Sequence, residues 1–331
     1  MRTPEKPIIS IVVPCLNRAD FLIPTIESVL QQEYPNIECI VIDGGSTDGT
    51  IELLKRYDGR IKWISESDSG HADAINKGWK MSKGEILVWL NADDIWAPQA
   101  VNNAVTYLEK HPEVDVVYGS SAIIDKDGNI INLDKPLEWN FDAAVKYCYY
   151  FIPQSSSFIR RRILEKIGWF DDIIGTFINK TGKDRWLWLR IALAGGIIKN
   201  IPNMLSYSRC HLTDSLSFDG QTVALACVGI IEKFYSLPNI PERFIEIRKR
   251  AMSNAYFTGM KYLWEGRNHD YLLLLRFILR GIREDPSNVF RITFGFMFYV
   301  IKYEFYRRGY RWTKFIVNTP LGSISKHFPT Y

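Results

Sequence analysis

A chain of 331 residues, 47% hydrophobic and 24% charged, is long enough for one large α/β domain with an appendage or for two modest domains, and this composition excludes a disordered chain. The formal net charge of +4 is unevenly spread: residues 241–331 carry about +9 and those before them about −5, which points to two parts with different work. Five scattered cysteines (Cys15, Cys39, Cys148, Cys210, Cys227) show no metal-type spacing and read as buried thiols of a reducing compartment. No run of roughly 20 apolar residues reads as a membrane-spanning helix.

The opening stretch, MRTPEKPIISIVVPCLN, places charges where a signal peptide has its apolar core, so a cytoplasmic location is expected. Within it, IISIVVPC is a compact β-branched run. RADFLIPTIESVLQQ follows with Leu22, Ile23, Ile26, Val29 and Leu30 at helical spacing. IECIVIDGG reads as the next strand, and DGTIELLKRY as a helix opened by Thr47 or Asp48 as cap. IKWISE is a third strand, HADAINKGWKM a third helix and EILVWLN a fourth strand. Strands alternating with helices imply crossover connections and a mainly parallel, doubly wound α/β sheet, whose ligands sit at the carboxyl ends of the strands.

Polar residues gather at those ends. Pro14 and Asn17 follow the first strand, Asp43 the second, Glu66 and Asp68 the third, and Asn91, Asp93 and Asp94 the fourth. Carboxylates are seldom buried unless paired or holding a metal, so the abrupt turn from ILVWL to NADD marks an opening onto something charged. Neither a GxGxxG fingerprint after the first strand nor a GxxxxGK[ST] loop is present. Acids cannot cradle a diphosphate by themselves, but they can hold a divalent cation that does.

The segments ISIVVPCLNRADFLIPTIESVLQQEYPNIECIVIDGGSTDGT and GHADAINKGWKMSKGEILVWLNADD resemble the family 2 glycosyltransferases, inverting enzymes of the GT-A fold that use nucleotide-diphosphate sugars. The resemblance runs from about Pro7 to about Ser217. It implies that Pro14 and Asn17 wrap the nucleoside, that Asp43 accepts a hydrogen bond from the base, usually uracil, and that Asp68 lines the base's other side. NADD takes the DxD position, with Asn91 as first member, Asp93 as ligand of Mn²⁺ or Mg²⁺ and Asp94 beside it. Asn91 departs from the pattern: it removes one negative charge but keeps an acceptor and adds donors for a ribose or a metal-bound water. The competing structural reading of Asp93 and Asp94 is a helix N-cap pair before IWAPQAVNNAVTYLEK.

Further along, YFIPQSSSFIRRRILEKIGWFDD and GKDRWLWLRIALAGG resemble the acceptor half of the same fold. Gly168, Phe170 and Asp171 supply its G-x-F-D segment. Asp184 supplies the acid before the L-W-L-R helix, implying a general base for the acceptor hydroxyl, with capping of a helix from Trp186 as the alternative. Lys183 and Arg185 flank it and would lower its pKa if they approach. Gln154 reads equally as an acceptor-side contact or as a polar turn after Pro153. SYSRCHLTDSLS matches the closing segment, which implies Arg209 as a cation for the departing diphosphate and His211 as a diphosphate or metal contact; alternation puts Tyr207, Arg209 and His211 on one face.

Expected organisation is therefore a GT-A catalytic domain over 1–220, with a nucleotide-sugar half over about 7–120 and an acceptor half over 121–220, then a helical basic region over 221–331. The expected partners are a nucleotide-diphosphate sugar donor and a saccharide or lipid-linked saccharide acceptor, with no nucleic acid. VFRITFGFMFYVIKYEFYRRGYRWTKFIV mixes aromatics with Arg and Lys, as a helix lying on the inner face of an anionic membrane does; packing on the catalytic domain is the other reading. In the membrane reading, the chain from Val289 onward is expected to be dispensable for folding. Two rival functions stand beside the transferase. A nucleotidyltransferase would need a Gly-rich basic loop that PCLNRADF is not, and a catalytically silent saccharide-binding protein would be favoured by loss of Asp93 or Asp184, which are both present.

Overall fold

The computed structural model describes residues 6–134, 136–149, 152–171, 181–210, 219–266 and 270–307. Its first half is the expected alternation: β1 (Ile9–Cys15), α1 (Ala19–Leu30), β2 (Ile37–Asp43), α2 (Thr50–Lys55), β3 (Lys62–Ser65), α3 (His71–Met81) and β4 (Ile86–Trp89). These four strands are mutually parallel in the order β3-β2-β1-β4. Burial on both faces explains the near-continuous apolar sequence of β1, β2 and β4, while β3 at the edge is only partly buried. Ile11, Val13, Val41 and Val88 face α1 and α4 (Ala100–Lys110), while Val12, Ile40, Leu87 and Trp89 face α3 and the helices that follow.

Beyond β4 the sheet becomes mixed. β8 (Ser157–Arg160) runs antiparallel to β4 and to β6 (Val116–Ile124); β9 (Ile198–Arg209) is parallel to β6; and β5 (Ile95–Trp96) is antiparallel to β9 at the far edge, with β7 (Ile130–Asp134) paired to β6. The two-residue β5 matters out of proportion to its length. It pairs Ile95 with Tyr207 and so carries the end of β9 to the acidic turn that β5 follows.

Three local expectations change. Pro14 lies inside β1, buried and opposite Ile42, and not in the loop after it. The ladder tolerates a proline there: Val12 O accepts from Leu90 on the β4 side and Cys15 O from Gly44 on the β2 side, so position 14 faces β4 beyond the end of the pairing. The cap of α2 is Gly49, at φ 96°, with Asp48 Oδ1 accepting from Thr50 N at 3.1 Å just ahead of it. Asp93 and Asp94 cap nothing, because β5 intervenes and α4 begins behind Gln99.

The second half adds α5 (Phe141–Tyr147), a 3₁₀ turn (Gln154–Ser156), α6 (Arg161–Ile167) and α7 (Lys183–Leu193). The C-terminal helices are α8 (Gly220–Tyr235), α9 (Glu242–Glu246), α10 (Arg248–Glu265), α11 (Tyr271–Glu284), then a π-helical turn (Arg291–Gly295) and α12 (Phe296–Arg307). One apolar cluster runs from Trp79, Trp89 and Phe170 through Trp186 and Trp188 of α7 to Cys227, Ile231 and Phe234 of α8 and to Tyr256, Phe257 and Met260 of α10. Gly182, at φ 92°, ends against α8 so closely that a Cβ would meet Ile230 Cδ1 at 2.8 Å, which fixes where α7 starts.

The packing reading of the C-terminal pattern holds for one face of it, and the other face is exposed. Ile292 and Phe296 are buried in the common cluster, so a chain cut before Val289 loses core contacts. Phe290, Phe294, Met297 and Ile301 are exposed, as are Tyr271, Leu272, Leu275 and Leu279 of α11. Among the described residues no helix is long and apolar enough to cross a membrane.

Candidate active site

The carboxyl ends of β1, β2, β3 and β4 meet at one edge, and their loops hold one another. Asn17 adopts φ 51°, a left-handed conformation Asn tolerates. Its amide donates to Ser46 Oγ at 2.7 Å and its Oδ1 accepts from Thr47 N at 2.8 Å, which locks the β1–α1 loop to the β2–α2 loop. Asp43 closes β2 with a fully buried carboxylate. Oδ2 accepts from Gly45 N (3.1 Å), Ser46 N (2.9 Å) and Ser65 Oγ (2.6 Å), and Oδ1 from Ser46 Oγ. The carboxylate thus ties the β2–α2 loop to the end of β3 before any ligand arrives. Asp68 stands opposite, accepting from Gly70 N at 2.8 Å, and a side chain at Gly44 would reach its Oδ2 at 3.0 Å.

After β4 the chain makes a turn in which Asp94 N donates to Asn91 O at 3.0 Å, and the two acids of NADD part company. Asp94 turns inward: Oδ1 accepts the Arg209 backbone amide at 3.0 Å and Oδ2 accepts Asn91 Nδ2 at 3.2 Å. Burial, reinforced by the charge of Asp93, pushes its pKa well above the usual carboxylate range. Asp93 turns to the open side, 18% exposed, with Arg18 Nε at 3.7 Å, an ionic contact longer than a hydrogen bond. Arg209 crosses the same corner. It donates to Asp93 O (3.2 Å), Asp125 O (2.8 Å) and Lys126 O (2.8 Å) and lies over the Phe21 ring.

Asn91 is held on every side. Its Nδ2 donates to Gln154 Oε1 at 3.0 Å as well as to Asp94, Gln154 Nε2 donates to Trp89 O at 2.7 Å, and Asn91 Oδ1 lies 2.9 Å from His71 Nε2. His71 and Gln154 are therefore site residues whose contacts the sequence did not reveal. Burial, with Lys183 nearby, lowers the His71 pKa to about 3, so the ring is neutral. Because Asn91 Oδ1 can only accept, Nε2 carries the proton, and Nδ1 is shut away from solvent with no hydrogen-bond partner among the described residues.

Asp184 stands at the second position of α7 behind Gly182, so it is not the cap of a helix from Trp186. Its neighbours diverge. Arg185 donates to Cys227 Sγ (3.1 Å) and Tyr262 Oη (3.0 Å) in the helical layer, while Lys183, its pKa lowered to about 8 by burial against the pull of Asp184, lies near enough to His71 to act on its charge. The G-x-F-D segment is fastened beside them: the Asn76 side chain of α3 donates from Nδ2 to Phe170 O (3.0 Å) and accepts from Phe170 N at Oδ1 (3.1 Å), and the Phe170 ring stacks on Trp79 at 5.3 Å. His211 lies outside the described residues.

For a divalent cation, the donor set is lean. Among the described residues no three His, Cys, Asp or Glu side chains cluster as ligands. Asp94 is buried and turned inward to Arg209 N and Asn91 Nδ2, whereas the Asp93 carboxylate is the one of the pair on the open side. One carboxylate fits a Mg²⁺- or Mn²⁺-type ion that takes its other oxygens from substrate phosphates and water.

Residues 10–168 match the family described as Glycosyl transferase family 2. The UDP-Glc:alpha-D-GlcNAc-diphosphoundecaprenol beta-1,3-glucosyltransferase WfaP of Escherichia coli is 32% identical over 207 residues, which is 62% of this chain and 78% of WfaP. The chain spans only 22% of the length of two Rickettsia glycosyltransferases, from R. felis and R. conorii, that it matches at 35% identity. Among solved structures, S. aureus TarS 1-349 in complex with UDP-GlcNAc superposes with a TM-score of 0.59 at 15% identity, covering 94% of this chain and 95% of that one. Mannosyltransferase PcManGT from Pyrobaculum calidifontis, in complex with GDP-Man and Mn²⁺, gives 0.56 at 18% identity, covering 90% and 87%. At these identities the two structures share the fold: a curled mixed α/β sheet followed by helices.

Proposed function

The chain belongs to glycosyl transferase family 2, and from that premise we propose that it moves a sugar, with inversion, from a nucleotide-diphosphate sugar to a saccharide or lipid-linked saccharide acceptor. One observation carries the proposal: the Asn91–Asp94 turn, clasped by Arg209 from β9 and Gln154 from the acceptor half, directs the Asp93 carboxylate to the open side at the carboxyl ends of the parallel strands. WfaP is named for a UDP-sugar and TarS was solved with one, which supports a UDP-sugar donor.

In this reading Asn17, Asp43 and Asp68 shape the nucleoside pocket. Asp43 acts by holding the β2–α2 loop, with capacity left on Oδ1 for the base. Pro14, inside β1, acts only by stiffening the strand beneath it. Asp93 would hold Mn²⁺ or Mg²⁺, assisted by His211, and such an ion neutralises charge on a departing diphosphate. Arg18 and Arg209 add fixed positive charge beside Asp93. Asn91 and Asp94 keep the turn rigid. Asp184, the second residue of α7, takes the proton from the acceptor hydroxyl as the new bond forms to the anomeric carbon. Residues 1–220 carry this chemistry. The helical region from 221 onward supports peripheral contact with the inner face of a membrane through its exposed aromatic and aliphatic side chains, as suits a lipid-linked acceptor.

The test is a donor screen with the full-length protein, following release of nucleoside diphosphate from UDP- and GDP-sugars with and without Mn²⁺. Release that depends on a UDP-sugar and Mn²⁺ is expected. No release from any nucleotide sugar, with a series of saccharide acceptors present, would overturn the reading.

A further inference from the structure

A second cavity, of about 460 Å³, opens among the C-terminal helices, lined by Lys146 at the end of α5, Glu246 and Lys249 around the α9–α10 junction, Arg250, Asp285 and Arg291. None of these residues belongs to the candidate active site. Arg250 and Asp285 form an ion pair, so Lys146, Lys249 and Arg291 face Glu246 as the one remaining acid of the lining. Arg291 is held with its guanidinium over the rings of Tyr147 (5.1 Å) and Phe257 (5.6 Å), and its Nε is shut off from solvent with no acceptor among the described residues. Behind it the cations crowd: burial, Arg291 and Lys302 together push the Lys261 amine down to about 8. Concentrated cations around a buried, unsatisfied donor call for an anion with several acceptor oxygens, and a cavity of this size accommodates a phosphate ester. The segment that sends Arg291 inward also presents Val289, Phe290 and Phe294 to solvent, and α11 adds Leu275 and Leu279.

We infer that this cavity seats the phosphate headgroup of an anionic phospholipid while the neighbouring exposed aromatic and aliphatic side chains enter the lipid surface. The inference deepens the membrane-contact part of the proposed function and is independent of the transfer chemistry. Charge and apolar surface are both needed: charge attracts the protein to an anionic bilayer, and the exposed apolar side chains of the segment that carries Arg291 keep it there.

The experiment is co-sedimentation of the full-length protein with vesicles of phosphatidylcholine alone or mixed equally with phosphatidylglycerol, with inorganic phosphate as competitor. Binding is expected only to the mixed vesicles, weakened by phosphate. Lys249→Gln, at an exposed position that leaves the fold alone, should weaken it about fivefold, the effect of one cation near such a surface. Phe290→Ser should weaken vesicle binding without changing the thermal stabilisation that phosphate gives. Turnover of Lys249→Gln on a water-soluble acceptor should equal that of the parent, which separates this inference from the transferase reading. If the parent binds mixed vesicles and Lys249→Gln and Arg291→Gln bind equally well, membrane contact stands and the headgroup cavity is wrong. Stabilisation by phosphate with no vesicle binding makes the ligand a soluble phosphate and overturns the lipid assignment; neither effect overturns both.

Discussion

His71 Nε2 lies 2.9 Å from Asn91 Oδ1, and this contact orients the side chain so that its Nδ2 faces two acceptors, at a position where an acid is the pattern. The Asn91 side chain accepts from His71 with one atom and donates to Gln154 and Asp94 with the other. An aspartate could do the first but neither of the others, and it would stand against Asp94, already disfavoured as an anion by burial and Asp93.

Asn91→Asp should therefore weaken the protein. Losing two donors beside a buried acid predicts a cost of about 1–3 kcal/mol. Since the acids of this corner are destabilised when charged, the cost should grow as pH rises and shrink toward acid pH. Urea unfolding at two pH values measures it, and a variant as stable as the parent at neutral pH would show that the bracket is dispensable.

His71 makes its own pH signature. Its folded pKa of about 3 is below its ordinary 6.5, so the neutral ring stabilises the fold fully above pH 6.5, and that contribution is lost as pH falls toward 3. At pH 5 the loss is about 2 kcal/mol as an upper figure. His71→Gln keeps a donor for Asn91 Oδ1 and removes the titration, so its stability should fall less than the parent's between pH 7 and 5.

Asp93→Ala should abolish transfer and most Mn²⁺-dependent binding of nucleoside diphosphate, because Asp94 is buried, turned inward and disfavoured as an anion, and so cannot substitute. Calorimetry with UDP, with and without Mn²⁺, is the readout. Unchanged affinity and turnover would remove Asp93 from the metal role.

Asp184→Asn preserves shape and helix position while removing the ability to take a proton. If Asp184 is the base, kcat should drop by about 10² or more, with donor affinity within a few fold. Because Gly182 and not Asp184 caps α7, the substitution should leave thermal stability nearly unchanged.

The parallel half of the sheet was legible because its strands are buried on both faces and its helices carry apolar residues at helical spacing; α3 coincides with the segment read from periodicity, His71–Met81. The strand-end acids were legible because they interrupt apolar runs. What the sequence did not disclose depends on distant pairing. β5 has two residues and exists only because Ile95 and Trp96 meet Tyr207 and Ser206. His71 and Gln154 reach Asn91 across 20 and 63 positions. Pro14 reads as a strand terminator, and only the register beyond the end of β4 shows why β1 runs through it. The inward turn of Asp94 and the outward turn of Asp93 likewise follow from the position of Arg209, not from adjacency in the motif.

Cys227, Ile231 and Phe234 of α8 share one apolar cluster with Trp89 at the end of β4 and Trp188 of α7, and Gly182 sits against Ile230. The proposed chemistry is all upstream of residue 220, but its scaffold is not. The shared cluster predicts that sheet and C-terminal helices unfold together, so tryptophan fluorescence and far-ultraviolet dichroism should report coincident unfolding curves. A graft of the first 220 residues onto a foreign tail would strip α7 of its backing and leave Asp184 without a defined position. Exchange of this chain's tail therefore requires remaking the surface on which the candidate base is mounted.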